Sequence, residues 1–276
     1  MKVLDNESLS AHTTFKTGGI VKEYYIPESI DELRSIYGDS SRIIGGGSNI
    51  LAADHDFDKV IDAGLFNKDF ISYGNGKYKV GASVRLQQLI RNINSEGYGG
   101  IEYLYSVPGL IGGAIVMNAG RGSSFNQCIS DYIDNVEVLM DGKLTSLTKK
   151  ECEFGYRDSL FKQSNAVVVA VDFSFPEMTS DESQKLILQR IEHCKLVQDN
   201  SCPNFGSVFC KSNKHIMKLV EKLSIKSGKC RFSGKTNNWL LNDGGTFDDA
   251  LKCIEKVERM HRVLGQHCKR EVIVWE

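Results

Sequence analysis

Three consecutive glycines followed by serine and asparagine form the part of the chain best suited to bind a phosphate, at residues 45–49. Glycines leave backbone N–H groups open to an anion, and the Ser48 hydroxyl adds a donor. The segment is not a Walker loop, because no Gly-Lys-Ser/Thr follows it. It also differs from the G-x-G-x-x-G fingerprint, because we predict a strand rather than a helix after it. Taken by itself, it is equally compatible with a tight glycine turn.

A second group of glycines lies between residues 106 and 120, in the sequence SVPGLIGGAIVMNAG. Its residues are mostly small or apolar, which would let a flat ligand lie against the backbone with Asn118 as a polar anchor. The alternative is a core strand kinked by glycines. Two such segments in one domain favour a large phosphorylated ligand.

Three further residues have side chains suited to chemistry. The Arg157 guanidinium is a planar donor fork that fits a carboxylate, although from the residue alone a surface or ion-paired arginine is the stronger interpretation. Ser207 lies among apolar neighbours, where a hydrogen-bonded core serine is the alternative; no histidine lies within three residues, so a hydrolase nucleophile elbow is unsupported. Glu271 begins the apolar run EVIVW. A carboxylate on an apolar face is costly unless paired, which suits a general acid or a polarising group; the alternative is an exposed edge-strand glutamate.

Composition excludes several classes of protein. The 276 residues carry 34 Lys+Arg against 35 Asp+Glu, so charge gives no reason to expect nucleic acid or an anionic membrane as the main partner. We find no apolar run approaching ~18 residues and no secretory pattern in the first residues, which predicts a cytoplasmic protein without a membrane span. The eight cysteines contain no C-x-x-C pair, so we expect mostly buried thiols and no metal site.

Periodicity and turn residues predict the elements that must position these side chains. Helices are predicted after a capping box at Ser29 and Glu32, over 86–97, from 179 to about 197, and from Thr246. Strands are predicted at 42–44, 59–62, 77–82, 166–175, 207–209, 239–241 and 271–275, with a hairpin turning at Asp141-Gly142. The fold class is therefore α+β, in two parts, with a change of composition around 176–195.

Nine short motifs, in this order, resemble those of the UDP-N-acetylenolpyruvoylglucosamine reductase (MurB) family. They are TTFKTGG (13–19), GGGSNIL (45–51), GAS (81–83), GIE (100–102), SVPGLIGGA (106–114), NAG (118–120), YRDS (156–159), GSVF (206–209) and EV (271–272). The resemblance covers nearly the whole chain. It implies a two-lobed FAD-binding domain of the vanillyl-alcohol-oxidase (PCMH) type over 1–178, followed by a smaller α+β substrate-binding domain over 179–276.

The resemblance also implies an activity: reduction of UDP-N-acetylglucosamine enolpyruvate to the peptidoglycan precursor UDP-N-acetylmuramate, with FAD and NADPH as cofactors. Arg157 would polarise the enolpyruvyl group, Glu271 would share the developing charge, and Ser207 would protonate carbon. The UDP-sugar would be contacted by Tyr156, Lys195 and Lys211. FAD would be bound by Gly45, Gly46, Gly47, Ser48, Asn49, Ser83, Pro108, Gly109, Gly112, Gly113, Ala114 and Asn118.

Departures from the family pattern lie in the predicted substrate domain. CKSN at 210–213 stands where Lys/Arg-Asn-Pro is usual, TNNW at 236–239 replaces His-Ala-Asn-Phe, and CKRE at 268–271 replaces Leu-Glu-x-Glu. Two other functions therefore stay open. One is a paralogous FAD oxidoreductase acting on another nucleotide sugar or a sugar alcohol, and the other is a non-catalytic flavin-binding protein.

Overall fold

A computed structural model describes residues 1–38, 41–122 and 125–276. The helices are α1 Leu9–His12, α2 Ile30–Ile36, α3 Leu86–Ser95, α4 Ile111–Val116, α5 Ser180–Val197, α6 Lys214–Lys222 and α7 Phe247–Val263. The strands are β1 Lys2–Ser8, β2 Ile20–Ile26, β3 Arg42–Ile44, β4 Ile50–Ala52, β5 Phe57–Asp62, β6 Phe70–Gly74, β7 Lys77–Gly81, β8 Ile133–Met140, β9 Lys143–Thr148, β10 Val167–Ser174, β11 Phe209–Lys211, β12 Lys226–Ser227, β13 Cys230–Phe232, β14 Leu240–Asn242, β15 Lys269–Arg270 and β16 Ile273–Trp275. Helices and mainly antiparallel sheets are mixed along the chain, so the α+β prediction is confirmed.

Local sequence signals account for several element ends. The Ser29 hydroxyl accepts a hydrogen bond from the Glu32 amide at the start of α2, as its capping-box spacing predicts. Asp141 and Gly142 both have positive φ, 49° and 71°, which is the geometry of the two-residue turn that joins β8 to β9.

The described chain forms two compact units. The first consists of Met1–Val3, Tyr24–Gly46 and Val60–Cys194, and the second of Leu4–Glu23, Gly47–Lys59 and Lys195–Glu276. The predicted functional boundary between residues 178 and 179 concerns which ligand each part binds, and it stays a prediction.

The first unit is built on a five-stranded antiparallel sheet with the order β6-β7-β10-β8-β9. Strand β10 is central and buried over most of its length, which its run VVVAVDFS predicts. Apolar residues of α3 pack into the same core as the strands, including Leu89, Ile90 and Ile93. The sheet therefore gives a rigid support to the loops that join its strands to α3 and α4.

The second unit contains short strands and two longer helices. Strands β12, β13 and β14 form one antiparallel sheet, β11 pairs with β15, and β16 runs parallel to β4. A further sheet has the strand order β1-β2-β5-β3. Helix α7 begins with a complete capping box, in which Thr246 and Asp249 exchange hydrogen bonds.

Three local predictions differ from the structure. The strand predicted at 271–275 begins only at Ile273. The strand predicted at 207–209 begins only at Phe209, and Ser207 instead forms a single bridge with Trp239. The glycine-rich residues 111–116 form a helix, which neither reading of that segment foresaw. The amides of Ile111 and Gly112 donate to the carbonyls of Val84 and Ala82, and these long-range bonds hold the segment despite its low helix propensity.

All eight cysteines lie within the described ranges, and none of them forms a disulfide. Four of them are buried and four half-buried, so the expectation of mostly buried thiols holds for half of them. Burial raises the pKa of Cys230 to about 12, and its thiol is therefore protonated at neutral pH. Within the described ranges there is no cluster of side chains suited to a metal ion. The same ranges include no helix long and apolar enough to cross a membrane.

Candidate functional site

The first glycine segment connects β3 to β4, and its conformation demands glycine at one position. Gly47 has a φ of 60°, and a Cβ atom there would overlap the carbonyl oxygen of His12. The Gly47 carbonyl accepts a hydrogen bond of 3.0 Å from the amide of Thr14. The N-terminal TTFKTGG motif therefore supports the turn of the glycine segment through backbone contacts.

Replacing Gly47 with alanine is expected to lower the free energy of unfolding by about 2–5 kcal/mol, from left-handed strain together with overpacking. Urea unfolding, combined with the FAD content of the purified protein, measures the change. Gly234→Ala is the matched control, because this exposed glycine has no assigned role and, apart from its chain neighbours, no described residue lies within 4 Å of a Cβ atom there. It should leave stability unchanged or raise it by up to about 1 kcal/mol, since alanine loses less conformational entropy on folding than glycine. Equal stability losses in the two variants would contradict this account of Gly47.

The two glycine segments meet in the first unit. A Cβ atom at Gly46 would lie 3.1 Å from the Cα atom of Gly109, so a side chain at Gly46 would crowd the Gly109 backbone. Gly109 has a φ of 139°, and its carbonyl accepts from the amide of Leu86. Gly113 is exposed and faces open space. Side-chain-free backbone at these positions fits a large flat ligand such as FAD.

Two residues predicted to bind FAD have side chains that are used within the protein. The buried Ser83 hydroxyl donates to the Ala63 carbonyl at 2.6 Å and accepts from the Asn67 amide at 3.1 Å. The buried Asn118 side chain donates to the Gly155 carbonyl at 2.8 Å, and its oxygen accepts from the Ser130 amide at 3.3 Å. Both side chains are therefore hydrogen-bonded within the protein, as buried polar groups require, and they support the backbone around them.

Arg157 lies in a tight turn beside Asn118. One guanidinium nitrogen donates to the Gly120 carbonyl at 2.7 Å, and the other terminal nitrogen lies 3.5 Å from the Asn118 carbonyl. The Arg157 backbone has a positive φ of 54°. The Ser159 hydroxyl donates to the Val116 carbonyl at 2.7 Å and fixes the turn against the end of α4. The YRDS motif is thus held against the NAG motif, and the guanidinium is oriented by two carbonyls.

Ser207 and Glu271 come together in the second unit, although 64 positions separate them. The Glu271 amide donates to the Val208 carbonyl at 2.8 Å, so Glu271 is hydrogen-bonded to the residue next to Ser207. Asn49 joins the same group: its side chain donates to the Glu271 carbonyl at 3.1 Å, and its carbonyl accepts from the Ile273 amide at 3.0 Å. The structure therefore places Asn49, which is predicted to bind FAD, beside the predicted catalytic residues Ser207 and Glu271.

Glu271 lies between β15 and β16 and is half-buried, so it is neither a strand residue nor a fully exposed edge glutamate. Ser207 is also half-buried.

The remaining predicted residues differ in exposure. Ala114 is buried, Gly45, Ser48 and Gly112 are half-buried, and Pro108, Tyr156, Lys195 and Lys211 are exposed. The Arg157 guanidinium lies 5.7 Å from the centre of the Tyr156 ring, which places these two predicted residues together. Lys195 occupies the last turn of α5, and Lys211 ends β11.

Sequence reasoning missed two residues that support the site. Gly120 orients Arg157 through its carbonyl, and Asn238 makes three hydrogen bonds to the backbone next to Ser207. Periodicity cannot reveal such contacts, because each joins a backbone group to a partner 29 or more positions away. An asparagine beside a predicted strand was the available signal for Asn238, since asparagine side chains readily pair with backbone groups.

Residues 22–148 match the FAD binding domain family. The UDP-N-acetylenolpyruvoylglucosamine reductase of Thermotoga petrophila is 34% identical to this chain over 285 aligned positions. The alignment covers 98% of this chain and 97% of that protein. The protein of the same name from Bacillus pumilus is 30% identical over 271 residues, covering 94% and 88%. The crystal structure of UDP-N-acetylenolpyruvylglucosamine reductase from Thermus caldophilus matches all of both chains with a TM-score of 0.82 at 24% identity, which shows the same fold. Identity at this level over almost the whole length shows that the chain belongs to the UDP-N-acetylenolpyruvoylglucosamine reductase family.

Proposed function

We propose that this protein uses NADPH and FAD to reduce the enolpyruvyl group of UDP-N-acetylglucosamine enolpyruvate, forming UDP-N-acetylmuramate for peptidoglycan synthesis. Family membership along almost the entire chain carries the proposal. The closely apposed glycine segments and the grouping of Ser207 with Glu271 support it. Both cofactors and the UDP-sugar are available in the cytoplasm, which we propose as its location.

FAD, when bound, supplies the hydride chemistry. Exposed bare backbone at Gly46 and Gly113 would let FAD approach closely, while the buried Gly47, with its φ of 60°, shapes the turn that leads into β4. We assign FAD binding to residues 1–178, which include the matched range 22–148, and substrate binding to residues 179–276. Lys195 and Lys211 are exposed cations suited to the phosphates of the UDP-sugar.

The proposed catalytic residues stabilise the developing negative charge and supply a proton. As negative charge develops toward the substrate carboxylate, the Arg157 guanidinium stabilises it by its positive charge, and the Glu271 carboxyl group, in its protonated form, stabilises it by donating a hydrogen bond. The Ser207 Oγ–H bond breaks as a C–H bond forms at the substrate carbon, and the resulting alkoxide regains a proton from water. The Ser207 hydroxyl makes no hydrogen bond to any residue within the described ranges, so it is available to a ligand.

The test is to record the visible spectrum of the purified protein and to follow NADPH oxidation without oxygen. We expect a bound flavin, NADPH consumption that depends on UDP-N-acetylglucosamine enolpyruvate, and a product two hydrogens heavier by mass spectrometry. A flavin-containing protein that NADPH reduces but that this substrate never reoxidises would overturn the proposal. Reoxidation by another nucleotide sugar, or by no sugar, would favour the paralogue or the flavin-binding protein.

A further inference from the structure

We propose that Asn238 is a positioning residue that holds the backbone beside Ser207 and thereby places the serine hydroxyl for proton donation. The inference rests on the proposed function, because it assumes that Ser207 gives a proton to the substrate. It assigns Asn238 no contact with substrate or cofactor.

Asn238 forms hydrogen bonds with the backbone of the two residues that follow Ser207. The Val208 amide donates to the Asn238 backbone carbonyl at 2.8 Å. The Phe209 amide donates to Asn238 Oδ1 at 3.1 Å, and Asn238 Nδ2 donates to the Phe209 carbonyl at 2.7 Å. One carboxamide therefore satisfies both polar backbone groups of Phe209, which fixes the position and the rotation of that peptide segment.

Ser207 lies outside the named strands, so strand pairing does little to fix the position of its backbone. Strand β11 starts two positions later, at Phe209, and pairs only with the two-residue strand β15 across a register shift. Ser207 itself has a single bridge to Trp239, the residue after Asn238. Its hydroxyl makes no hydrogen bond to the described part of the chain. The backbone on either side must therefore determine where the hydroxyl lies.

The opposite edge of the same segment bears Glu271. The Val208 carbonyl accepts from the amides of Glu271, at 2.8 Å, and Val272, at 3.4 Å. Ser207 thus lies at the start of a short segment held between Asn238 on one edge and the Glu271 backbone on the other. Loss of the Asn238 side chain would remove its two bonds to Phe209 and leave the bond from the Val208 amide to the Asn238 backbone carbonyl, as well as the second edge, in place.

The effect on rate follows from the geometry of proton transfer. A misplacement of about 1 Å at a reacting group costs on the order of 10²-fold in rate. We expect Asn238→Ala to slow reoxidation of the reduced flavin by substrate about 10–100-fold in single-turnover experiments. Flavin reduction by NADPH should stay within about twofold of the wild type, because that step uses no proton from Ser207.

Asn237→Ala is the matched control, since this adjacent asparagine makes no side-chain hydrogen bond to the residues that the structure describes. It should leave both half-reactions unchanged. Asn238→Asp keeps an oxygen for the Phe209 amide but loses the donor to the Phe209 carbonyl, and we expect a rate between those of the wild type and Asn238→Ala. This variant also serves if Asn238→Ala fails to fold.

Two measurements distinguish positioning from a general loss of structure. Hydrogen exchange followed by mass spectrometry should speed up at the Phe209 amide in Asn238→Ala and stay unchanged in α7. In a double-mutant cycle, Asn238→Ala should slow reoxidation no further once Ser207 is already alanine, because Asn238 then has no hydroxyl to position. Slowing by the same factor in both backgrounds would overturn the inference, as would unchanged reoxidation in Asn238→Ala.

A failure of the proposed function would look different. In that case the wild-type flavin would not be reoxidised by UDP-N-acetylglucosamine enolpyruvate at all. A wild-type enzyme that turns over while Asn238→Ala reoxidises normally would contradict only the role of Asn238.

Discussion

Replacing Ser207 with alanine is expected to slow the reoxidation of reduced flavin by substrate about 10²–10⁴-fold, the range of a positioned proton donor. Reduction of the flavin by NADPH should persist. The fold should also persist, because the Ser207 hydroxyl makes no hydrogen bond within the described ranges and its backbone contacts survive the substitution. Stopped-flow absorbance in the two separate half-reactions measures both rates.

Ser212→Ala is the control for Ser207→Ala. Ser212 lies five positions further along the same segment, is also half-buried, and has no assigned role. It should leave both half-reactions and the melting temperature unchanged. If Ser207→Ala slowed the two half-reactions by the same factor, the loss would lie in flavin binding or folding, and Ser207 would not be the proton donor.

Replacing Arg157 with methionine is expected to lower the rate of the substrate half-reaction about 10²–10³-fold, as for the loss of a donor that stabilises developing charge. The guanidinium is oriented by the carbonyls of Gly120 and Asn118, so its direction is set before any ligand arrives. Arg157→Lys should recover only part of the rate, because an ammonium group cannot reproduce the planar fork. Single-turnover rates and substrate affinity, measured separately, show whether the loss lies in catalysis or in binding.

The backbone conformation at Arg157 affects the lysine and methionine variants alike. Its φ of 54° imposes similar strain on lysine and methionine, so a difference between these variants reports on the side chain. Arg34→Met removes an exposed ion pair with Asp31 at 3.5 Å and serves as the control, since such pairs contribute little. Full activity of Arg157→Met would exclude the proposed role, and full activity of Arg157→Lys would show that charge alone suffices.

Local chemistry in the sequence determined many elements of the fold. The N-cap residues Ser29 and Thr246 define helix starts because each side chain bonds an amide only three positions away. The Asp-Gly pair at 141–142 defines a hairpin turn because these residues tolerate positive φ. Glycine spacing likewise identified both segments that now meet at Gly46 and Gly109.

The division of the chain into compact units was less accessible. Residues Leu4–Glu23 and Gly47–Lys59 belong with Lys195–Glu276, far away in sequence. Composition changes only once along the chain and so could suggest only one boundary. The parallel pairing of β16 with β4, across more than 200 positions, has no local signature.

By itself, the sequence determined which residue types were present for the proposed chemistry, and its motifs pointed to the reductase family. Only the tertiary structure decided their partners. The side chains of Ser83 and Asn118 form hydrogen bonds within the protein. The Arg157 guanidinium is oriented by two backbone carbonyls, and Ser207 lies beside Glu271. The physical reason is that a buried polar group must find a partner, and the chain path decides which of many distant groups is near enough to be that partner.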